Sequence, residues 1–284
     1  MKPVADVSIL AANYNNGRYL SAFIESVDNS EWLPKELIII DDGSKDDSKQ
    51  ILESFRYLEY LKTIYFEYNK GFTDALNAGL DIAQGKYIMR ADPDDILLPN
   101  RIKVQYEYME NNSGIDILGS NVLYFNDQDG SIINSSNFPI DHDTITKRFR
   151  KGEHGVQHPS VIIKAEVYKK YRYQKIFPAE DYEIFSRMAR DKYQFTNIPE
   201  PLYRMRVHAG SSTSNIKLKD IKQTFFFRDQ IFGTKTSKLR IWLYYKHIYY
   251  YRKFQLCNNS FKKSFFVALS AIFYPGKVFK RFFT

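Results

Sequence analysis

The chain has 284 residues, of which 44% are hydrophobic, and its 41 basic against 33 acidic side chains give a net charge of +8. This length fits one large α/β domain, alone or with an appendage. The single cysteine, Cys257, excludes an internal disulfide and favours a reducing, cytoplasmic location. Only six residues precede the first predicted strand, and no apolar run reaches the ~18 residues of a membrane span. We therefore expect neither a signal peptide nor a transmembrane helix.

The basic side chains are concentrated at the C-terminal end. Residues 230–284 contain 11 Lys and Arg, no Asp or Glu, and 16 of the 46 aromatic residues. We predict a globular domain at 1–224 and a basic, aromatic, helical extension at 225–284. This composition suits an anionic membrane surface, stacking on single-stranded nucleic acid, or packing against the globular domain. No recognised nucleic-acid motif is present, so we expect no nucleic-acid partner, and membrane contact and packing both stay open at this point.

Apolar runs alternate with segments of helical periodicity through the first half of the chain. Leu20, Phe23, Ile24 and Val27, for example, recur at the spacing of one helix face. The alternation predicts βαβ units and a mostly parallel central sheet sandwiched by helices. Strands are predicted at 7–12, 37–40, 64–66, 87–89, 115–124 and 161–163, and helices at 20–27, 51–55 and 75–83 and from 99 and 179 onward.

Polar clusters follow three of the predicted strands. They lie at 13–16, at Asp41-Asp42 and at 92–95. Each cluster alone is typical of a turn or a helix cap. In an open α/β sheet, however, ligands bind beyond the carboxyl ends of the strands, which is where all three clusters fall. The coincidence predicts a binding site at this edge.

The segment Asp92-Pro93-Asp94-Asp95 carries the strongest chemical signal. Carboxylates packed this closely repel one another, and a hard divalent cation such as Mn²⁺ or Mg²⁺ removes that repulsion. Neither G-x-G-x-x-G nor the P-loop pattern occurs, and no Cys/His cluster indicates zinc. We therefore expect anion binding through a metal and side chains, without a glycine-rich phosphate loop.

In this order and spacing, the motifs resemble those of the inverting family 2 glycosyltransferases, which have the GT-A fold and use nucleotide-sugar donors. The resemblance runs from about Val7 to Ser214. It rests on residues 7–15, 36–44, 69–77 and 92–95 with Pro99 and Arg101, on Glu180-Asp181, and on His208.

For the donor, the resemblance implies four binding residues. Ala12 and Tyr14 would border the nucleotide base, and Asp42 would accept a hydrogen bond from uracil N3–H. Asp92 would face the ribose or the sugar. The donor would then be a UDP-sugar.

For the metal and the chemistry, the resemblance implies five more residues. Asp94, with Asp95 and His208, would bind Mn²⁺ or Mg²⁺, Asp181 would be the general base, and Glu180 would lie on the acceptor side. Without the resemblance, the preferred interpretation of Glu180 and Asp181 is that of first-turn acids favoured by the helix dipole, and that of His208 a surface or hydrogen-bonded histidine.

The resulting hypothesis is a metal-dependent inverting transferase that moves a sugar from a UDP-sugar to a hydroxyl of a surface or capsular polysaccharide or a glycolipid. Since many such acceptors are lipid-linked, we expect the C-terminal extension to contact an anionic membrane surface through residues 230–284 and the protein to be peripheral at the inner face of the plasma membrane. Two alternatives stay open at this point. One is a nucleotidyltransferase, although the usual glycine-rich and basic loop is missing after the first strand. The other is a non-catalytic saccharide- or membrane-binding protein.

Overall fold

The computed structural model describes residues 2–176, 178–208, 217–257 and 259–275. The chain forms two compact units, Met1–Val207 and His208–Thr284. The first unit contains the sheet, and the described part of the second is helical. Residue 224 lies inside a helix of the second unit, and the predicted domain boundary at that position stays a prediction.

Every predicted strand and helix is present, with ends that differ by a few residues. The strands are β1 (Val4–Asn13), β2 (Leu33–Asp41), β3 (Leu61–Tyr65), β4 (Tyr87–Arg90), β5 (Ile96–Leu97), β6 (Ile117–Asn126), β7 (Ile132–Ser135), β8 (Ile162–Lys164) and β9 (Phe195–Val207). The helices are α1 (Gly17–Asp28), α2 (Ser48–Ser54), α3 (Phe72–Ile82), α4 (Arg101–Asn111), α5 (His142–Lys151), α6 (Ala165–Lys170), α7 (Glu180–Arg190), α8 (Leu218–Phe232), α9 (Lys238–Leu256) and α10 (Ser260–Phe273).

One sheet runs through the first unit, in the order β3-β2-β1-β4-β8-β6-β9-β5, with β7 paired to β6. Strands β3, β2, β1 and β4 are parallel, and Ile9 of β1 lies between Leu37 of β2 and Met89 of β4. Beyond β4 the pairings are antiparallel except for the parallel pair β6–β9. The predicted α/β architecture, a central sheet with helices around it, is confirmed, and the parallel half of the sheet carries the polar clusters.

The core of the first unit forms where the sequence alternation places it. Residues 37–40 of β2 are fully buried, as expected for a parallel strand covered on both faces. The apolar face of α1, Leu20, Phe23, Ile24 and Val27, is fully buried as well. Burying a side chain of this size contributes about 1.5–3 kcal/mol, so this face holds α1 against the sheet.

The second unit packs α8, α9 and α10 around aromatic side chains. Phe225 of α8 contacts Tyr244 of α9 edge to face, with ring centroids 5.3 Å apart. The Ser270 hydroxyl of α10 lies 2.8 Å from Nδ1 of His247 on α9, and both residues are buried. Within the described residues, no helix combines the length and the apolar character needed to cross a membrane.

Candidate active site

The loops after β1 and β2 are joined by the carboxylate of Asp41. Nδ2 of Asn13 donates to Asp41 Oδ1 at 2.7 Å, and the backbone N–H and hydroxyl of Ser44 donate to the same carboxylate at 3.1 and 2.6 Å. Asp41 is buried. Its carboxylate therefore shapes the turn, the structural role that such residues commonly have at strand ends.

Asp42 links the end of β2 to the beginning of α3. Its two carboxylate oxygens accept the backbone N–H groups of Lys70 and Gly71 at 2.7 and 2.9 Å, and the residue is 2% exposed. Gly43, which follows, has φ +70°, and a Cβ there would lie 2.5 Å from the backbone of Tyr68. The loop therefore needs glycine at this position. Each oxygen of Asp42 keeps a further lone pair, so its role toward the base stays a prediction.

The other two residues predicted beside the base differ in exposure. Ala12, the last residue but one of β1, is 8% exposed, and Tyr14, immediately after the strand, is 45% exposed. The ring of Tyr14 is thus accessible to a ligand at the sheet edge. Both roles stay predictions.

The Asp92–Asp95 turn lies over a buried arginine. Nη2 of Arg90 donates to Asp92 Oδ1, and its Nη1 donates to the Leu10 carbonyl at 3.3 Å. The hydroxyl of Tyr203 on β9 accepts the Asp92 N–H at 2.8 Å and donates to the Asp92 carbonyl at 3.2 Å. Asp92 is therefore fixed from below by Arg90 and from the side by β9.

Arg206 of β9 fixes the far side of the same turn. Its backbone N–H donates to Asp95 Oδ1 at 2.7 Å, and its Nε donates to the Asp94 carbonyl at 2.7 Å. Burial and the neighbouring charges of Asp94 and Asp92 raise the pKa of Asp95 well above its ordinary value. Burial also raises the pKa of Asp92, against the opposing effect of Arg90.

A divalent cation would relieve the repulsion among the carboxylates of the Asp92–Asp95 turn. Carboxylate oxygens are the donors that Mn²⁺ and Mg²⁺ prefer. Across the described residues, no three or more His, Cys, Asp or Glu side chains are grouped to hold a metal ion. Asp94 and Asp95 belong to the first unit and His208 to the second. Their joint role as metal ligands stays a prediction.

A second buried arginine supports the turn from α4. Nη2 of Arg101 donates to the Arg90 carbonyl at 2.8 Å, and its guanidinium lies 4.6 Å from the ring centre of Tyr203. Burial lowers the pKa of Arg101 to about 10. Two cationic side chains thus lie beneath a turn of three carboxylates. The sequence feature that could have indicated this arrangement is a charged residue, Arg90, directly after the apolar run at 87–89.

Glu180 and Asp181 form the first turn of α7. Asp181 Oδ1 accepts the N–H of Tyr182 at 2.6 Å, and its Oδ2 lies 3.6 Å from Nδ1 of His154. Glu180 is 7% exposed, and its Oε2 has no hydrogen-bond partner in the described part of the chain. Burial, with the charges of Asp181 and Asp92, raises the pKa of Glu180 to about 7. A buried, unpartnered carboxyl beside a more exposed carboxylate is typical of a functional site.

The two acidic segments are near enough to influence each other's ionisation. The charge of Asp181 raises the pKa of Asp92, and the charge of Asp92 raises that of Glu180, while Arg90 lowers it. The structure thus brings Asp92, Glu180 and Asp181 together although they are far apart in sequence. His154, which sequence analysis did not select, joins them through Asp181.

His158 is buried near Arg90 and His154. Its Nε2 is 2.8 Å from the hydroxyl of Tyr173, which is 2.9 Å from that of Tyr168. Burial and the nearby charges of Arg90 and His154 lower the pKa of His158 well below its ordinary value. A neutral histidine in a hydrogen-bonded chain has a structural role here.

Comparison with known proteins decides the family. The model of glycosyl transferase family 2 matches residues 8–172. An uncharacterised glycosyltransferase of Methanocaldococcus jannaschii, MJ1057, is 32% identical over 271 residues, which cover 93% of this chain and 86% of the relative. The chain belongs to glycosyl transferase family 2. The prediction of a transferase is confirmed at this level, and neither alternative is supported by these matches.

This family 2 glycosyltransferase is also similar to proteins whose names state a substrate or a bound ligand. A UDP-Gal:alpha-D-GlcNAc-diphosphoundecaprenol beta-1,3-galactosyltransferase of Escherichia coli is 29% identical, over 70% of this chain and 73% of that enzyme. The structure of Staphylococcus aureus TarS 1-349 in complex with UDP matches with a TM-score of 0.65 at 17% identity. The match covers 98% of this chain and 82% of the TarS chain. A mannosyltransferase of Pyrobaculum calidifontis with GDP-Man and Mn²⁺ has a TM-score of 0.61 at 12% identity, with coverages of 100% and 82%. These structures establish the GT-A-like fold.

The raised pKa of Glu180 predicts a pH-dependent stability of the transferase. With a folded pKa of about 7 against an ordinary value of 4.5, the folded protein holds a proton that the unfolded chain releases, so stability falls as pH rises through that window. Above the window the buried charge costs about 1–3 kcal/mol. Glu180→Gln should raise the free energy of unfolding by that amount above pH 7. It should have little effect at the acidic end of the pH window, where Glu180 is protonated.

Urea denaturation at both ends of the window measures this difference. Glu200→Gln is the matched control, because Glu200 is exposed and the substitution removes the same charge. An equal destabilisation of Glu180→Gln at both pH values would contradict the prediction.

Proposed function

We propose that the protein is a metal-dependent inverting glycosyltransferase that moves a sugar from a UDP-sugar to a hydroxyl acceptor. The observation that supports this most directly is the position of Asp181. Its carboxylate, 25% exposed, lies in the first turn of α7, and its charge helps to raise the pKa of Asp92. A candidate base thus lies within electrostatic reach of a candidate diphosphate site.

The donor half of the site is assigned to the loops after β1, β2 and β4. Tyr14 and Ala12 border the base, Asp42 accepts its N–H, and Asp92 faces the ribose or the sugar. Asp94, assisted by Asp95 and His208, holds Mn²⁺ or Mg²⁺. When bound there, the cation supplies positive charge that stabilises the departing diphosphate. The UDP in TarS and the Mn²⁺ in the Pyrobaculum enzyme are compatible with this assignment.

The acceptor half is assigned to α7. Asp181 accepts the proton of the acceptor hydroxyl while its oxygen forms a bond to C1 of the sugar and the bond from C1 to the diphosphate oxygen breaks. Attack from the face opposite the leaving group inverts the anomeric configuration. His154 orients the Asp181 carboxylate from 3.6 Å, and Glu180 contacts the acceptor.

The acceptor is a saccharide hydroxyl of a surface polysaccharide or a glycolipid under assembly. Two relatives support this class. One is named for amylovoran biosynthesis in Erwinia amylovora, and the Escherichia coli enzyme is named for a diphosphoundecaprenol-linked substrate. A lipid-linked acceptor requires the enzyme at a membrane, and we assign it to the inner face of the plasma membrane as a peripheral protein.

Calorimetry of the wild-type protein with UDP and GDP, each with and without Mn²⁺, tests the donor assignment. We expect UDP to bind more tightly with Mn²⁺ and GDP to bind roughly tenfold more weakly than UDP, a difference of about 1.4 kcal/mol. Tighter binding of GDP would move the donor to a GDP-sugar and overturn the uridine assignment. Absence of nucleotide binding by the folded protein would overturn the donor site as a whole.

A further inference from the structure

Helix α10 has an apolar face that the second unit leaves exposed. Phe261, Phe265 and Ile272 are 84%, 56% and 71% exposed, and Ala268 between them is exposed as well. The intervals of four, three and four residues place these side chains on one side of the helix. Large side chains exposed together in this way indicate an interaction surface.

The other side of α10 is already packed. Ser270 is fully buried against His247 of α9, and the ring of Phe273 stacks on Tyr250 with centroids 5.7 Å apart. The face of Phe261, Phe265, Ala268 and Ile272 is therefore not needed to attach α10 to α9. This face is therefore exposed even though α10 is packed against α9.

Charge decides which partner fits this face. Lys262 and Lys263 lie in the first turn of α10, and Lys253 of α9 lies 5.6 Å from the ring centre of Phe266. Since residues 230–284 contain 11 basic and no acidic side chains, a second copy would bring like charges together. An anionic lipid surface offers both the apolar layer and the opposite charge.

Helix length fits the same partner. The 14 residues of α10 span about 21 Å, shorter than the ~30 Å hydrocarbon core of a bilayer. A helix with one apolar face and flanking lysines lies in the plane of the membrane surface. We propose that Phe261, Phe265, Ala268 and Ile272 of α10 insert into the headgroup layer of an anionic membrane. The inference rests on the proposed function only for the membrane location and is independent of the donor chemistry.

Flotation of the full-length protein with lipid vesicles tests the proposal. The wild type should float with vesicles of equal parts phosphatidylcholine and phosphatidylglycerol, should bind pure phosphatidylcholine more weakly, and should be released by salt. The double substitution Phe261→Ser with Phe265→Ser should weaken binding to the anionic vesicles about tenfold or more. Tyr57→Ser, at a residue 70% exposed in the first unit, is the matched control and should bind like the wild type.

Three results would overturn the proposal. They are failure of the wild type to bind anionic vesicles, equal binding by the double variant, and a wild-type dimer that the double substitution converts to a monomer. Calorimetry with UDP distinguishes a failure of the membrane proposal from a failure of the proposed donor site. A double variant that keeps both the nucleotide affinity and the helical circular dichroism of the wild type is folded in both units, so its loss from vesicles reports on the apolar face of α10.

Discussion

Asp181→Asn should lower kcat by about 10²–10⁴-fold, the contribution typical of one general base. Asparagine preserves the shape of the side chain but cannot accept the acceptor proton. The carboxylate is one-quarter exposed and so can reach a substrate, and its Oδ1 is already oriented by the N–H of Tyr182. The affinity for UDP and Mn²⁺ should change little, because the donor ligands are assigned to other loops.

Steady-state kinetics with the cognate donor and acceptor, together with calorimetry, measures both effects. Asp143→Asn is the matched control, since Asp143 is an exposed acid in the first turn of α5. Glu180→Gln distinguishes the two acids of α7 and should lower kcat less than Asp181→Asn does. The opposite ranking would transfer the role of base to Glu180, whose pKa of about 7 also suits that role.

The features that sequence predicted well are local ones. The four residues of α1 at helical spacing are buried together, and the continuous apolar run of β2 is a strand covered on both faces. The polar clusters were predictable because the carboxyl ends of parallel strands meet at one edge. Asp41 and Asp42 lie at that edge, as their position at the end of β2 required.

What sequence could not predict depends on contacts between distant segments. The two-residue strand β5 is too short for any periodicity, and it exists because Ile96 and Leu97 pair with β9. Tyr203 and Arg206 of β9 then fix the Asp92–Asp95 turn through hydrogen bonds between residues more than 100 positions apart in sequence. Nothing in the local pattern around either residue indicates this contact.

His154 was missed for a related reason. It lies in the loop between α5 and the buried His158, where the sequence has neither a motif nor a periodicity. Its relevance comes from the 3.6 Å distance to Asp181 and from edge-on packing against Tyr182 at 5.7 Å. Only the arrangement of α7 against this loop reveals it.

The electrostatics of the turn shows why Asp92 and Asp94 should differ in function. Asp92 already has a cationic partner, because Arg90 donates to it from the core. Asp94 contributes a charge that raises the pKa of the buried Asp95. The hydrogen bond from Arg206 Nε to the backbone carbonyl of Asp94 does not depend on the Asp94 side chain. Loss of Asp92 would leave a buried guanidinium without its partner, which costs about 3–5 kcal/mol. Loss of Asp94 would instead relieve repulsion.

Asp94→Asn should therefore remove the effect of Mn²⁺ on UDP binding, about a 100-fold change in affinity by comparison with other disturbed metal sites. UDP binding without metal should stay near the wild-type value. In the absence of metal, the variant should be as stable as the wild type or more stable, since the pKa of Asp95 loses one cause of its elevation. Calorimetry with and without Mn²⁺ and thermal unfolding measure these effects.

Asp129→Asn is the control for the change in charge, because Asp129 is exposed in the β6–β7 hairpin. Asp92→Asn provides the contrast and should lower the unfolding temperature even without metal. If Asp94→Asn kept the full Mn²⁺ effect, the metal would have to be assigned to other side chains. If Asp94→Asn unfolded as readily as Asp92→Asn, the turn would depend on Asp94 for its structure, and the division of roles between the two aspartates would be wrong.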